Sequence, residues 1–279
     1  MKKIGLIAGN GRFPVLFAQS AKQRGFEVVA VALRGETLPE IADHADKVYW
    51  AGIAQLGKWI KLLKREQVTR AVMAGGITKA KMYSRFRILR FRPDLRTIRF
   101  WYRKLRDKRD YSLLEGAAEE FASDGIEICN SVEFMTEHLA QEGCCTRRKP
   151  NDSEMADVQF GWELAKGMAH LQVGQTVVVK EQAVLAVEAI EGTDAAIRRA
   201  GALSKGGAVV VKVSKPDQDL RFDVPTIGLK TIEVLQEAGA KVLAVEADKT
   251  LMLDKTDIIE AADRAGICIL AVKGDQECA

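Results

Sequence analysis

Apolar residues fall into two rhythms along this chain, short unbroken runs and helical stripes, and through the first half the two alternate. Lys2–Ala8 is an apolar run, followed by Gly9-Asn10-Gly11-Arg12-Phe13-Pro14 and a helix predicted from Pro14 to about Arg24, closed by Gly25. Pro in the first turn and Gly just past the last are helix punctuation, since Pro gives up no needed donor there and Gly accepts a left-handed residue. Phe26–Leu33, Val48–Ala51 and Arg70–Ala74 read as further strands. Between the last two, Leu56, Trp59, Ile60 and Leu63 recur at helical spacing and predict a helix over 56–66. Strands alternating with helices imply a parallel sheet covered on both faces. After a basic stretch come a helix over 111–123 and a strand near 126–129.

Periodicity then disappears over 140–152, where Gly143, Cys144-Cys145, Arg147-Arg148-Lys149 and Pro150 crowd together. We place the boundary there, with domains over 1–139 and 153–279 and a linker between them. The second half opens with an amphipathic helix over 153–171. Strands over 175–180 and 183–189 follow, joined at Glu181-Gln182 without the Gly that a two-residue hairpin prefers. Gly192-Thr193-Asp194 precedes a helix through Ala202, with Thr193 readable as its N-cap. Next come a strand over 208–213, a polar loop over 214–226 and a helix over 229–238. Strands over 241–245 and 267–272 flank a helix over 257–265 with Thr256 as its N-cap. Both halves are therefore α/β, without an internal repeat.

Composition narrows the class. A chain of 279 residues and 30.7 kDa has room for two domains, and 47% hydrophobic with 29% charged residues excludes a disordered or collagenous chain. No apolar stretch approaches the ~18 to 20 residues that span a bilayer, and the N-terminus reads as a strand rather than a signal peptide. Five cysteines, of which only Cys144 and Cys145 are close, fit a reducing compartment and no zinc spacing. The net charge is +4, yet between Lys79 and Arg109 there are 13 Lys or Arg against Asp94 and Asp107. This stretch interleaves its cations with Tyr83, Phe86, Phe91, Phe100, Trp101 and Tyr102. It reads as a solvated helix face with core contacts, as a surface for an anionic bilayer, or as a nucleic-acid contact, and no RRM or KH signature speaks for the last.

Candidate chemistry lies at loop positions. Gly9-Asn10-Gly11 leaves a strand and opens a helix, where backbone N–H groups can meet a phosphate or simply close a tight turn. As a dinucleotide fingerprint it departs from pattern, because Pro14 replaces the third glycine and no acid follows strand 2 before Glu36. Ala74-Gly75-Gly76 ends another strand on the ligand edge of a parallel sheet, with Lys79 and Lys81 nearby. In the second half, Glu188, Glu191 and Asp194 surround Gly192-Thr193, and Asp219 and Asp223 flank Arg221. Carboxylates beside a helix N-terminus suit Mg²⁺-assisted phosphoryl chemistry, with Lys212 or Arg221 to neutralise phosphate charge; each segment also reads as a solvated loop. His44, His138 and His170 stand apart, and neither a nucleophile elbow nor HExxH is present, so serine and zinc hydrolases are disfavoured.

Together, Gly5-Leu6-Ile7-Ala8-Gly9-Asn10-Gly11 with Pro14, Ala74-Gly75-Gly76, Val173-Gly174-Gln175, Val184 through Asp194, and Lys215-Pro216 through Gly228 resemble the LpxI family of UDP-2,3-diacylglucosamine pyrophosphatases over nearly the whole chain. The resemblance implies a Rossmann-like first domain, a distinct α/β second domain and a ligand cleft between them. It also implies a cytoplasmic, Mg²⁺-dependent homodimer, peripheral at the inner face of the inner membrane, that splits a lipid-linked nucleotide sugar into 2,3-diacylglucosamine 1-phosphate (lipid X) and UMP in lipid A biosynthesis. The aspartate on which the family relies matches Asp223. With it we group Glu191 and Lys212 as catalytic, and Asp223, Asp194 and Glu188 as ligands for Mg²⁺ or Mn²⁺. Gly9, Asn10, Gly11, Gly75, Gly76, Lys79, Gln175, Gly192, Thr193, Arg221 and Thr226 are grouped as substrate-binding. On residue types alone, a non-catalytic nucleotide- or lipid-binding module and an NAD(P)-dependent oxidoreductase stay open.

Overall fold

A computed structural model describes residues 2–77, 92–104, 110–215 and 219–274. The chain divides into two compact units, Met1–Thr136 with Leu220–Phe222, and Glu137–Asp219 with Asp223–Ala279. Lys79, Lys81 and most of the basic stretch before Arg92 lie outside the described residues, as do Pro216, Asp217 and Gln218.

Unit 1 holds a five-stranded parallel sheet of β1 (Lys2–Ala8), β2 (Phe26–Leu33), β3 (Lys47–Ala51), β4 (Arg70–Ala74) and β5 (Glu127–Ile128), in the order β3-β2-β1-β4-β5. The central strands are apolar on both sides because helices cover both faces. On one face Val29, Val31 and Leu33 pack against Trp59, Ile60 and Leu63 of helix Leu56–Arg65, with Phe100 and Phe121 completing the layer. Side chains alternate along a strand, so the buried Val28, Ala30 and Ala32 face the other way, where helix Phe13–Gln23 packs on β1 and β2. The strand order reverses between β1 and β4, the position where open α/β sheets place ligands.

Unit 2 holds a six-stranded mixed sheet. Its strands are β6 (Gly143–Cys144), β7 (Thr176–Lys180), β8 (Ala183–Val187), β9 (Val209–Lys212), β11 (Val242–Glu246) and β13 (Cys268–Val272), in the order β6-β13-β11-β9-β7-β8. β9, β11 and β13 run parallel, and β6, β7 and β8 are attached antiparallel. Two two-residue strands, β10 (Thr226–Ile227) and β12 (Leu251–Met252), pair separately in parallel. Strand alternation sorts the core into two layers. Val178, Val210, Leu243, Val245 and Ile269 meet helices Thr193–Ser204, Leu229–Glu237 and Lys255–Ala265. Val177, Val179, Val209, Val211, Val242 and Ala244 meet Val158, Trp162, Ala165 and Ala169 of helix Asp152–His170. That long helix starts with a reciprocal capping box, Asn151 Oδ1 accepting from Glu154 N (2.9 Å) and Glu154 Oε2 from Asn151 N (3.0 Å).

Two local expectations change, and the expected turn at Glu181-Gln182 is explained. The stretch 140–152 carries strand β6, which is too short to show a period. The helix expected from Asp257 begins at Lys255, after Asp254 in the left-handed region (φ 58°), so Thr256 is inside it rather than its cap. The hairpin turn closes without glycine, with Glu181 and Gln182 both left-handed (φ 51° and 55°). The buried Asp157 carboxylate accepts from both of their N–H groups, at 3.0 and 2.6 Å, which offsets the cost of ~1 kcal/mol or more per left-handed residue.

Candidate functional site

β1 and β4 end level with each other, Ala8 opposite Ala74, so their glycine turns leave the sheet side by side. Gly9 N donates to Ala74 O and Asn10 N to Gly76 O, both at 2.8 Å, while Gly76 N donates to Asn10 Oδ1 at 3.1 Å. Asn10 Nδ2 also reaches the buried Glu36 at 3.4 Å. A Cβ on Gly9 would sit 2.5 Å from Gly76 O, and one on Gly75 (φ 78°) would strike the Asn10 carbonyl. Glycine is therefore required here for backbone to interlock with backbone, and the Gly9 and Asn10 donors are committed to that lock rather than presented to a phosphate. Space does remain over Gly11, whose Cβ would meet nothing within 4 Å.

Beside this lock, within unit 1, opens a cavity of about 320 Å³. Trp59, Phe100, Trp101, Leu113, Leu114 and Phe222 line it, together with Gly9, Gly75 and Gly76. Thr97 is the one hydroxyl-bearing side chain among its lining residues. Such a wall takes hydrocarbon rather than a charged group.

The polar groups gather in unit 2, beyond β8 and β9. Lys212 ends β9 opposite Thr176 of β7 and is buried, its Nζ donating to Thr226 O at 2.9 Å. Burial pushes the Lys212 pKa down from the ordinary lysine value, and the carboxylates of Glu188, Asp194 and Asp223 pull against that shift. Glu188 is itself 9% exposed, with Oε1 accepting from Thr193 Oγ1 at 2.9 Å and Oε2 buried without a partner among the described residues. Gln175 Oε1 is likewise buried and unpartnered, and Thr176 Oγ1 lies 3.4 Å from Thr193 Oγ1. Gly174 permits this packing, since any Cβ there would strike the Glu188 carbonyl. Gly192, not Thr193, caps the helix that follows.

The remaining expected residues go elsewhere. Glu191 is paired with Arg199 (2.7 Å), which also donates to Val187 O (2.8 Å); its own backbone N–H and Arg199 hold the Glu191 carboxyl below its usual range. Glu188, Asp194 and Asp223 thus act on Lys212 through their charge, and Glu191 pairs with a helix arginine instead. Asp223 is half exposed, with Oδ2 3.5 Å from Lys215 Nζ and its N–H donating to Asp219 O at 3.1 Å. Arg221 stacks over the Phe222 ring, 4.8 Å from its centre, in unit 1. Thr226 contributes its carbonyl to Lys212. Among the described residues no three His, Cys, Asp or Glu side chains form a ready-made metal cage. Lys79 is outside the described residues.

Sequence reasoning missed Thr176 as a neighbour of Glu188, and it missed Glu246. The only signal for the latter was an acid closing the apolar run Val242–Glu246.

Comparison with known proteins agrees with this two-part layout. Residues 3–138 match the LpxI N-terminal domain and residues 141–270 the LpxI C-terminal domain. The chain is also 34% identical over 284 aligned positions to a protein of Caulobacter vibrioides named UDP-2,3-diacylglucosamine pyrophosphatase LpxI, covering 98% of each.

Proposed function

Because the chain belongs to the LpxI family, we propose that it is a hydrolase that splits the pyrophosphate of UDP-2,3-diacylglucosamine with water, giving 2,3-diacylglucosamine 1-phosphate and UMP in lipid A biosynthesis. One P–O bond of the bridge breaks and one forms to the oxygen of water. The observation that carries this reading is the buried Lys212 at the end of β9, in the field of Glu188, Asp194 and Asp223. A buried ammonium is expensive unless anions meet it, and a pyrophosphate brings such charge. Lys212 then neutralises phosphate oxygens, and Asp223, the more accessible carboxylate, takes the proton of the attacking water.

The reading includes Mg²⁺, with Mn²⁺ as a substitute. The donor set supports it: oxygens only, no histidine or thiol, and a buried Glu188 Oε2 with no protein partner. No three of these carboxylates form a cage by themselves, so one or two of Glu188, Asp194 and Asp223 would hold the ion together with substrate phosphates. When bound, such an ion polarises phosphoryl oxygens and lowers the pKa of water.

The lipid half of the substrate finds support in the apolar cavity of unit 1. Helix Leu95–Lys104 adds to it: Leu95 and Tyr102 are 86% and 84% exposed, Arg99 lies on the same face, and the exposed Arg92 precedes the helix. Apolar tips between arginines suit an anionic bilayer interface, so we place the enzyme peripherally at the inner face of the inner membrane. No helix among the described residues is long and apolar enough to cross a membrane. The family resemblance extends the reading to a homodimer.

The test is incubation with UDP-2,3-diacylglucosamine and Mg²⁺, with and without EDTA. Release of UMP that EDTA abolishes and Mg²⁺ restores supports the reading. Binding without turnover points to a regulatory module, a nicotinamide-dependent absorbance change to an oxidoreductase, and full activity after chelation removes the metal.

A further inference from the structure

After β9 the chain leaves the sheet at Ser214 and returns at β10; between them, 214–215 and 219–226 are described and carry Lys215, Asp223 and Thr226. Both ends are held by the short stretch from the last residue of β11 through β12. At the return, Leu251 N donates to Pro225 O (2.8 Å), Leu253 N to Ile227 O (2.9 Å), and β12 pairs with β10. At the exit, the hold is a side chain. Glu246, the last residue of β11, is 0% exposed, and its Oε2 accepts from the Ser214 backbone N–H at 2.8 Å. Lys166 Nζ donates to the same oxygen and Lys249 Nζ to Oε1, each at 2.7 Å. Both lysines are partly exposed and Lys166 also lies over the Trp162 ring, 5.8 Å from its centre, so their charge is anchored from outside while the carboxylate sits inside. Nothing in the proposed reaction requires a buried acid at this point, and burying one is costly unless it is fully hydrogen-bonded.

We infer that Glu246 is a positioning residue: its carboxylate fixes the point where the backbone turns out of β9 just after Lys212, and so sets the seat of the loop that presents Asp223. Turn 246–250 reinforces this, since Thr250 N donates to Glu246 O (3.1 Å) and leads directly into β12. A single short segment thereby clamps both ends of the loop. The consequence for turnover rests on the pyrophosphatase reading; the anchoring does not.

The test measures amide hydrogen exchange and UMP release on the full chain carrying Glu246→Gln or Glu246→Asp. The first removes the charge that two lysines need, and the second keeps the charge but draws it back by one methylene. Glu246→Gln should speed exchange over 219–226 about tenfold or more while β9 and β11 stay protected, the scale of one charge-assisted hydrogen bond. It should lower kcat about tenfold with KM within about twofold, and Glu246→Asp should fall between it and the wild type. If Glu246→Gln loses protection in β9 and β11 as well, the same comparison is read on Glu246→Asp. Unchanged loop exchange, or faster exchange with unchanged kcat, overturns the inference. A wild-type protein that releases no UMP refutes the function proposed above, and loop exchange then decides the anchoring alone.

Discussion

The glycine turns after β1 and β4 and the polar edge beyond β8 and β9 are built from opposite materials. In unit 1, backbone donors of Gly9, Asn10 and Gly76 close on the chain's own acceptors, and the space alongside is walled by Trp59, Phe100 and Trp101. In unit 2, Lys212 and Glu188 are buried, and Glu188 Oε2 has no hydrogen-bond partner among the described residues. The first arrangement is complete in itself and offers hydrocarbon a place; the second is incomplete until something polar arrives. Glycine at a sheet edge therefore does not by itself mark the phosphate site. In the function proposed above it is marked instead by the desolvated charge of Lys212 at the end of β9.

The largest effect that would break this comparison is expected at Lys212. Lys212→Met should lower kcat by about 100-fold, the scale of one positioned donor lost from a phosphoryl site, while the protein stays folded. The pH dependence has a definite sign. Because the folded pKa lies below the ordinary 10.5, the folded state gives up its proton first and the unfolded chain binds more. Wild-type unfolding free energy should then rise with pH between the lowered folded value and 10.5, and urea titrations of Lys212→Met should lack that rise. A variant with normal turnover would move the chemistry elsewhere.

Next in size is the glycine lock. Gly75→Ala adds a Cβ to a left-handed residue and drives it into the Asn10 carbonyl, so the urea midpoint should fall by the equivalent of about 2–4 kcal/mol. In the protein that remains folded, kcat should stay near normal and any change should fall on KM, since Gly75 lines the apolar cavity. If stability holds and turnover collapses, these turns grip the substrate directly.

The smallest effect is expected at the outer face of helix Leu95–Lys104. Leu95→Glu with Tyr102→Glu should weaken sedimentation with anionic liposomes several-fold, on the order of 1 kcal/mol, and leave cleavage of detergent-dispersed substrate intact. Equal losses in both assays would assign this face to the site or the fold.

How much of this was legible in the sequence follows from which forces are local. Strands such as Phe26–Leu33 and Arg70–Ala74, and the helix stripe Leu56, Trp59, Ile60 and Leu63, read directly because burial imposes their period. Strands β6, β10 and β12 did not, since two residues cannot show a period. The place of the turn at Glu181-Gln182 read from its flanking strands, but what lets it close without glycine did not, because that support comes from Asp157, on the preceding helix. At the site, the carboxylate-rich segments stood out, but their sorting did not. That Glu188 and Asp194 act on Lys212 through their charge while Glu191 turns to Arg199 depends on where β8 ends at Val187 and on Gly192 opening the next helix. Glu246 could not be singled out, because its role is defined by Ser214, 32 residues earlier.

The account rests on the unit 2 edge doing the hydrolysis, and Asp223 tests it most directly, being the half-exposed carboxylate of the three that act on Lys212 through their charge. UMP release from UDP-2,3-diacylglucosamine would be timed for wild type and Asp223→Ala at saturating substrate and Mg²⁺, with circular dichroism and urea midpoint as controls of the fold. The account predicts a kcat lower by at least ~100-fold with the fold unchanged, the scale of a lost general base or metal ligand. A folded Asp223→Ala protein that releases UMP at close to the wild-type rate would contradict it.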